Sequence, residues 1–454
     1  MHLTFHFGLE GYLGLVIYFG GIIAFLLSIF WRPQAGLYFL MPLIPLQTLR
    51  YTVHGLPWGE HLVDIVMLGV MIGMLFNGKG EILPRTSMNW FLLVWILLSY
   101  FALWRGSFFL NKDLPLSIAD PRFDNWKNYM LMPLLFFLVL SVIKSAKQMK
   151  ILLLLMCVSI FIVNKGFYNT VSVRDLSHFD YNLRYAGQMG YAGENGLGAF
   201  AASMALFLFG LYAFESKRLR KLLLLALIAS SVYVVLFVFS RGAYAAFLVG
   251  LLFIGIFKER KLLVFAAVLL FAWQVLLPTS VQERITMTYQ GGELDPSAQT
   301  RLDLWQEALD MTSHNPVMGS GYDTYEYLRG ASKYTDTHNY YLKVLVETGI
   351  VGLLIFLWLL GKMLYQGQTL FFRAEDPFFR ALGLGFAALM VGTMVLNLFG
   401  DRWTYFQVNG YIWVVLALVM RAHIILREGA KETEVDQDQA SAPAPALAPE
   451  PKRA

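Results

Sequence analysis

The chain has 454 residues, of which 57% are hydrophobic and only 15% charged, and its mean hydropathy is +0.55. Soluble domains carry about 25% charged residues, so this composition excludes an ordinary soluble protein and indicates a chain that spends most of its length in lipid. The net charge of +5 would suggest nucleic acid in a soluble protein. Here Lys and Arg gather at the ends of apolar runs, the pattern that sets membrane orientation, and no nucleic-acid partner is expected.

Taken in chain order, apolar runs near the ~20 residues needed to cross a bilayer fall at 9–30, 35–48, 61–77, 89–104 and 129–143. Others follow at 149–163, 196–214, 221–239, 243–257 and 262–278, then at 341–361, 380–399 and 408–426. The predicted fold class is all-α, a polytopic transmembrane helical bundle of about 12–13 spans. Run 35–48 is the weakest, being short and holding Pro42 and Pro45. The opening MHLTFHFGLEGYLG has neither Lys nor Arg, so it lacks the basic start of a cleavable signal, and the first run is expected to persist as a helix. The single cysteine, Cys157, lies within a run and excludes an intrachain disulfide.

Orientation follows from three short basic loops, KSAKQMK (144–150), SKRLRK (216–221) and KERK (258–261), which are expected on the cytoplasmic side. Counting from them, 105–128, 164–195, the turn FSRGAYAAF (239–247), the long segment 279–340 and FGDRWTYFQ (399–407) face outward, as does the N-terminus. Residues 1–430 read as one transmembrane domain with 279–340 as its long outer loop. The tail 431–454, rich in Ala, Pro and charge, is expected to be a disordered cytoplasmic segment. The outward segments hold Arg174, Arg184, Arg241, Arg301, Arg329, His338 and Arg402. Any one of these arginines is accounted for by a nearby acid, but the set is better explained by an anion site, since the guanidinium fork suits phosphate oxygens and keeps its charge.

Segment 279–340 is too long for an ordinary connection. Within it, SAQTRLDLWQEALDMTSHNP (297–316) predicts an amphipathic helix with Ser297 as N-cap and Leu302, Trp305 and Leu309 as its apolar stripe. Arg301 falls in the expected first turn, against the helix dipole. In DTHNYYLKVLVETGIVGLL (336–354), Asp336 or Thr337 is the expected N-cap, which puts His338 in the first turn, where the dipole favours a neutral, proton-accepting imidazole. Lys343 and Glu347 are spaced to pair on one face. HExxH, paired-cysteine zinc spacing and the P-loop are absent from the sequence, and no metal or cofactor is expected.

These residues carry a resemblance. SRGAYAAF in an outward turn, TRLDLWQEALDMTSHNPVMGSGYDTY in the long loop and THNYYLKVLVETGIVGLL at the return to the membrane resemble the bacterial O-antigen ligase and O-antigen polymerase superfamily. YAGENGLGAFAA (191–202) is a weaker shared feature, and residues 1–160 match by hydropathy only. The resemblance implies a metal-independent, inner-membrane glycosyltransferase that takes a glycan from undecaprenyl pyrophosphate and passes it to an acceptor on the periplasmic face. It also implies that Arg241 and Arg301 hold the pyrophosphate and that His338 is the base at the acceptor hydroxyl. Arg174, Arg184 and Arg402 are weaker candidates for the same anion. The acceptor reads as lipid A–core, making the chain ligase-like, with a polysaccharide polymerase or a protein O-oligosaccharyltransferase as alternatives. A lipid-linked-glycan flippase is the alternative of another class, disfavoured because its charges would lie deep in the spans and serve both sides. Besides substrates, membrane lipids are the expected partners.

Overall fold

The computed structural model describes residues 12–77, 82–287, 289–290, 293–328 and 336–441. Arg329 and the tail beyond Ser441 lie outside them. The described chain is helical apart from a two-residue antiparallel pair, Tyr289–Gln290 with Glu293–Leu294. The helices, in order, begin with α1 (Leu13–Phe30), α2 (Gln34–Leu43), α3 (Gln47–Tyr51), α4 (Leu62–Asn77), α5 (Asn89–Phe109) and α6 (Pro121–Val142). Next come α7 (Ala146–Val171), α8 (Gly193–Tyr212), α9 (Arg218–Phe237), α10 (Arg241–Phe257), α11 (Lys261–Leu276) and α12 (Thr279–Thr286). The last are α13 (Pro296–His314), α14 (Tyr325–Leu328), α15 (Tyr340–Arg373), α16 (Pro377–Leu396) and α17 (Phe406–Ser441). The final helix thus enters the segment expected to be disordered.

Among the described residues, nine helices are long and apolar enough to cross a membrane, and the α11–α12 pair, bent by 104°, makes a tenth. The remaining predicted passes are α6, whose first turns carry Arg122, Asp124 and Lys127, the 17-residue α10, and α2. At ten residues α2 is only about 15 Å long, yet its two flanks meet opposite ends of the bundle. Gln34 Nε2 donates to the Val142 carbonyl beside the 144–150 loop. Gln47 accepts from Gln407 Nε2 and from the Tyr191 amide at the other end. A cavity of about 500 Å³ whose wall includes Phe39, Leu40 and Leu43 indents the bundle here, so a short helix has less thickness to cover.

The bundle has two chemically distinct ends. Lys147, Lys150, Lys217, Arg220 and Asp376 line one space, and Lys258 sits over the Phe214 ring, so all three basic loops share one end. At the opposite end Arg105 Nε donates to the Gly319 carbonyl, Arg184 meets Asn195, and Lys343 meets Asp401. Helices α8, α16 and α17 form the interior, with the span window of α17 89% buried against 22% for α1. Small residues let the inner helices close up: a Cβ on Gly210 would lie 2.3 Å from Gly385 Cα, the small-on-small contact by which membrane helices pack.

Helix α15 is broken at Gly349 (φ 66°, ψ −170°), and the long loop is stitched into the break. The Ser320 and Gly321 amides donate to Val346 and Glu347, while Ile350 and Val351 donate to Pro316 and Val317. The backbone groups freed by the kink are thereby satisfied, as a low-dielectric setting requires. A Cβ at Gly349 would fall 2.2 Å from the Val317 carbonyl oxygen. Gly349→Ala is therefore expected to cost about 3 kcal/mol through strain and clash, read as a lower thermal midpoint of the solubilised protein. Gly361→Ala, in the same helix with nothing within 4 Å, is expected to be neutral or slightly stabilising.

Candidate active site

Five arginines from separate stretches of chain, Arg184, Arg241, Arg284, Arg301 and Arg402, line one small pocket at the end opposite the basic loops. Each is placed by identifiable local structure. Arg241 opens α10, and its Nη1 lies 2.5 Å from Asp295 Oδ2. Asp295 in turn caps α13, accepting from the Ser297 and Ala298 amides with Pro296 at the first helical position. Arg301 projects from the second turn of that helix. Arg284 of α12, buried, donates to the Phe239 carbonyl and packs over the Phe179 and Tyr181 rings. Arg184 donates to Asn195 Oδ1, which also accepts from Ser240, so the YAGEN stretch joins the pocket through Asn195. Arg402 follows Gly400, whose missing side chain leaves room for its guanidinium: a Cβ there would lie 2.7 Å from Nη2.

The pocket is electrostatically loaded. Burial, then repulsion from Arg241, Arg402 and Arg284, pushes the Arg301 pKa below the usual arginine value, with Asp295 opposing. Arg184 is also pushed down, chiefly by burial, with Glu194 opposing and Arg284 adding to the repulsion. Burial would raise the Asp295 pKa, but the bond and charge of Arg241 and the capped amides prevail and hold it low. Asp295 thus links Arg241 to the start of α13. Phe239, two residues before Arg241, has φ 54°, a conformation unusual for a large side chain, and it turns its carbonyl to Arg284.

His338 lies just before α15 rather than in its first turn. The cap is Asn339, whose side chain accepts from the Tyr341 and Leu342 amides, and His338 itself has φ 50°. Asp336 accepts from the His338 amide, and its Oδ2 lies 3.7 Å from His338 Nδ1. All three of Asp336, Thr337 and Asn339 are capping types; the third does the capping because the turn over Asp336 is already closed. The second non-glycine with positive φ beside this site is thus the proposed base, and such strain concentrates at functional positions.

The 400–405 loop touches both groups: Arg402 lines the arginine pocket, and Asp336 and Arg402 both act on Tyr405. Asp401 accepts from the Trp403 and Thr404 amides and the Thr404 hydroxyl, and it meets Lys343 Nζ at 3.6 Å. Burial, then the Asp401 and Asp336 carboxylates, raises the Tyr405 pKa, while Arg402 and Lys343 lower it. Both the histidine's carboxylate partner and a pocket arginine therefore act on the Tyr405 hydroxyl. Asp336 also lines the 500 Å³ cavity, together with Tyr191, Tyr322, Tyr405 and Asp401.

The structure brings together Arg241, Arg301, Arg184 and Arg402 and adds Arg284, which sequence reasoning passed over. Arg174 does not join them. Its Nη1 donates to the Asn182 and Leu183 carbonyls, and its guanidinium lies over the Tyr185 ring, so it ties down its own loop. Lys343 lies within ion-pair distance of Asp401, which the 400–405 loop brings over the start of α15, and it also interacts with the Glu347 carboxylate. Asp295 replaces Ser297 as the cap of α13. The packed face of that helix holds Ala308 and Met311 against Tyr325 and Val346, with Leu304 also buried, while Leu302 and Leu309 are exposed.

Comparison with known proteins bears on the half of the chain that holds most of this site. Residues 225–357 match the family model described as O-antigen ligase, a span containing Arg241, Arg284, Arg301 and His338. A Rickettsia conorii protein, provisionally named a polysaccharide ligase, is 26% identical over 147 residues. That alignment covers 29% of this chain and 34% of the relative, so the chain spans about a third of the length of the relative it matches. Over residues 225–357, therefore, the chain is similar to the O-antigen ligase family.

Proposed function

We propose that the protein is a glycosyltransferase that moves a glycan from undecaprenyl pyrophosphate to an acceptor hydroxyl, most simply on lipid A–core, at the periplasmic face of the inner membrane. The observation that supports this reading is the convergence of five arginines on one pocket that includes Arg402 of the 400–405 loop, a loop whose Tyr405 also interacts with Asp336, the partner of His338. In the proposed reaction the acceptor oxygen attacks the anomeric carbon and the bond from that carbon to the pyrophosphate oxygen breaks. Undecaprenyl pyrophosphate leaves with the bonding electron pair. The acceptor proton passes to His338 Nε2, the ring nitrogen on the side away from Asp336. Preorganised guanidinium groups stabilise the charge that develops on the leaving pyrophosphate without requiring a metal. The tyrosines and carboxylates of the neighbouring cavity offer apolar ring faces and hydrogen-bond acceptors to the acceptor sugar.

Asp336 acts in this scheme as a positioning residue. Asp336→Asn is expected to lower kcat about tenfold with KM little changed. That is well short of the ~10⁴-fold loss when a directly bonded triad carboxylate is replaced, because 3.7 Å exceeds hydrogen-bond length. Steady-state transfer kinetics measure both parameters.

The reaction class is tested by a gel of surface glycolipids from a strain lacking the protein, with and without complementation. Bare lipid A–core, with long glycan accumulating on undecaprenyl pyrophosphate, supports ligase activity. Core bearing a single repeat unit reassigns the protein as a polymerase. An unchanged ladder removes lipopolysaccharide as the product and directs the search to another glycan or a protein acceptor.

A further inference from the structure

At the end away from the arginines, a slot of about 870 Å³ opens between α7, α9 and the start of α16. We propose that it binds an anionic phospholipid of the leaflet on that side, with the phosphate at the mouth and an acyl chain along the floor. The inference is independent of the transfer reaction proposed above.

The mouth carries Lys147, Lys150, Lys217 and Arg220, and among the described residues no carboxylate lies within ion-pair distance of any of them. The two acids at the rim are committed to the backbone: Glu215 accepts from the Lys217 amide and Asp376 from the Phe378 amide. Helices α7, α9 and α16 all begin here, so the positive ends of three helix dipoles add to the four cations. Topology determination accounts for basic residues on this side. It does not account for four cations against two carboxylates around one cavity.

Below the mouth the slot is apolar. Leu154 and Leu223 are exposed on its open side, Leu153 and Leu227 are buried behind, and Cys157 lies at its far end. From Lys147 or Lys150 to Cys157 the helix rises about 10–15 Å, close to the ~15 Å of hydrocarbon in one leaflet. A cationic mouth at the interface above an apolar trough one leaflet deep has the charge and dimensions of a phospholipid. A soluble anion would leave the trough unfilled.

The test uses the full chain in nanodiscs of phosphatidylcholine containing phosphatidylglycerol, with retained lipid read by native mass spectrometry after release. Selective retention of phosphatidylglycerol is expected. Retention should fall on the order of 20-fold in Lys147→Gln/Lys217→Gln, each juxtamembrane cation contributing a factor of about five. This variant keeps Lys144, Lys150, Arg218, Arg220 and Lys221, so orientation is preserved. Leu154→Trp, at an exposed position, should block retention without changing charge. Equal retention of both lipids, or retention unaffected by both variants, would overturn the proposal. So would displacement of the lipid by millimolar inorganic phosphate, which would mark a simple anion site.

Discussion

His338→Ala is expected to reduce glycan transfer by about 10²–10⁴-fold, the range lost with a general base, while the protein still inserts and still binds the pyrophosphate of its donor. The structure makes this a clean test. Asn339 supplies the helix cap, so removing the imidazole leaves the start of α15 intact. His338 already bears the cost of its positive φ, and Ala, less common in that region, should add under about 1 kcal/mol, which lowers stability slightly without touching the arginine pocket. Transfer by the purified variant and its thermal shift with pyrophosphate separate the two effects. Transfer above a tenth of wild type in a folded variant would remove His338 as the base. Loss of the pyrophosphate shift would mean that the histidine belongs to the donor site instead.

What was legible in the sequence divides along physical lines. Lipid demands ~20 apolar residues per pass and internal satisfaction of the backbone, so the long passes are written plainly, whereas the ten-residue α2 is not among the helices long enough to cross. Arg241 and Arg301 were legible because arginine in a segment expected to face outward runs against the orientation pattern. Arg284 breaks the same pattern but is followed less easily, since the adjacent Glu283 offers an obvious local partner. In the structure Glu283 turns to His178 Nδ1 at 2.7 Å and to the Phe179 amide, and Arg284 turns inward. Which of three capping residues before α15 does the capping, and which of two apolar faces of α13 is packed, are set by contacts far away in sequence. The stitching of residues 316–321 into the Gly349 break is of that kind too, and the glycines alone announce only that a turn is near.

Arg301→Ala is expected to act in opposite directions on activity and on stability. Unlike Arg241, which has Asp295, Arg301 has no hydrogen-bonding or ion-pair partner among the described residues; in particular, the ion pair with Asp303 or Glu307 that its spacing suggests is not formed. Its charged surroundings are Arg241, Arg402 and Arg284, with Asp295 opposing them. In the substrate-free protein it is a source of repulsion, so its removal should raise stability by about 1 kcal/mol, the usual gain when an active-site conflict is relieved. In the proposed reaction it would stabilise charge developing on the leaving pyrophosphate, and its loss should cost about 10²–10³-fold in kcat, as for a single oxyanion donor. Arg301→Lys keeps the charge but not the planar fork and should recover only part of that loss. Thermal unfolding with and without pyrophosphate, beside transfer kinetics, tests both arms: the wild type should gain stability on adding pyrophosphate and Arg301→Ala much less. A variant that is less stable than wild type and still responds fully to pyrophosphate would place Arg301 in the scaffold of α13 and leave the anion to the other four arginines.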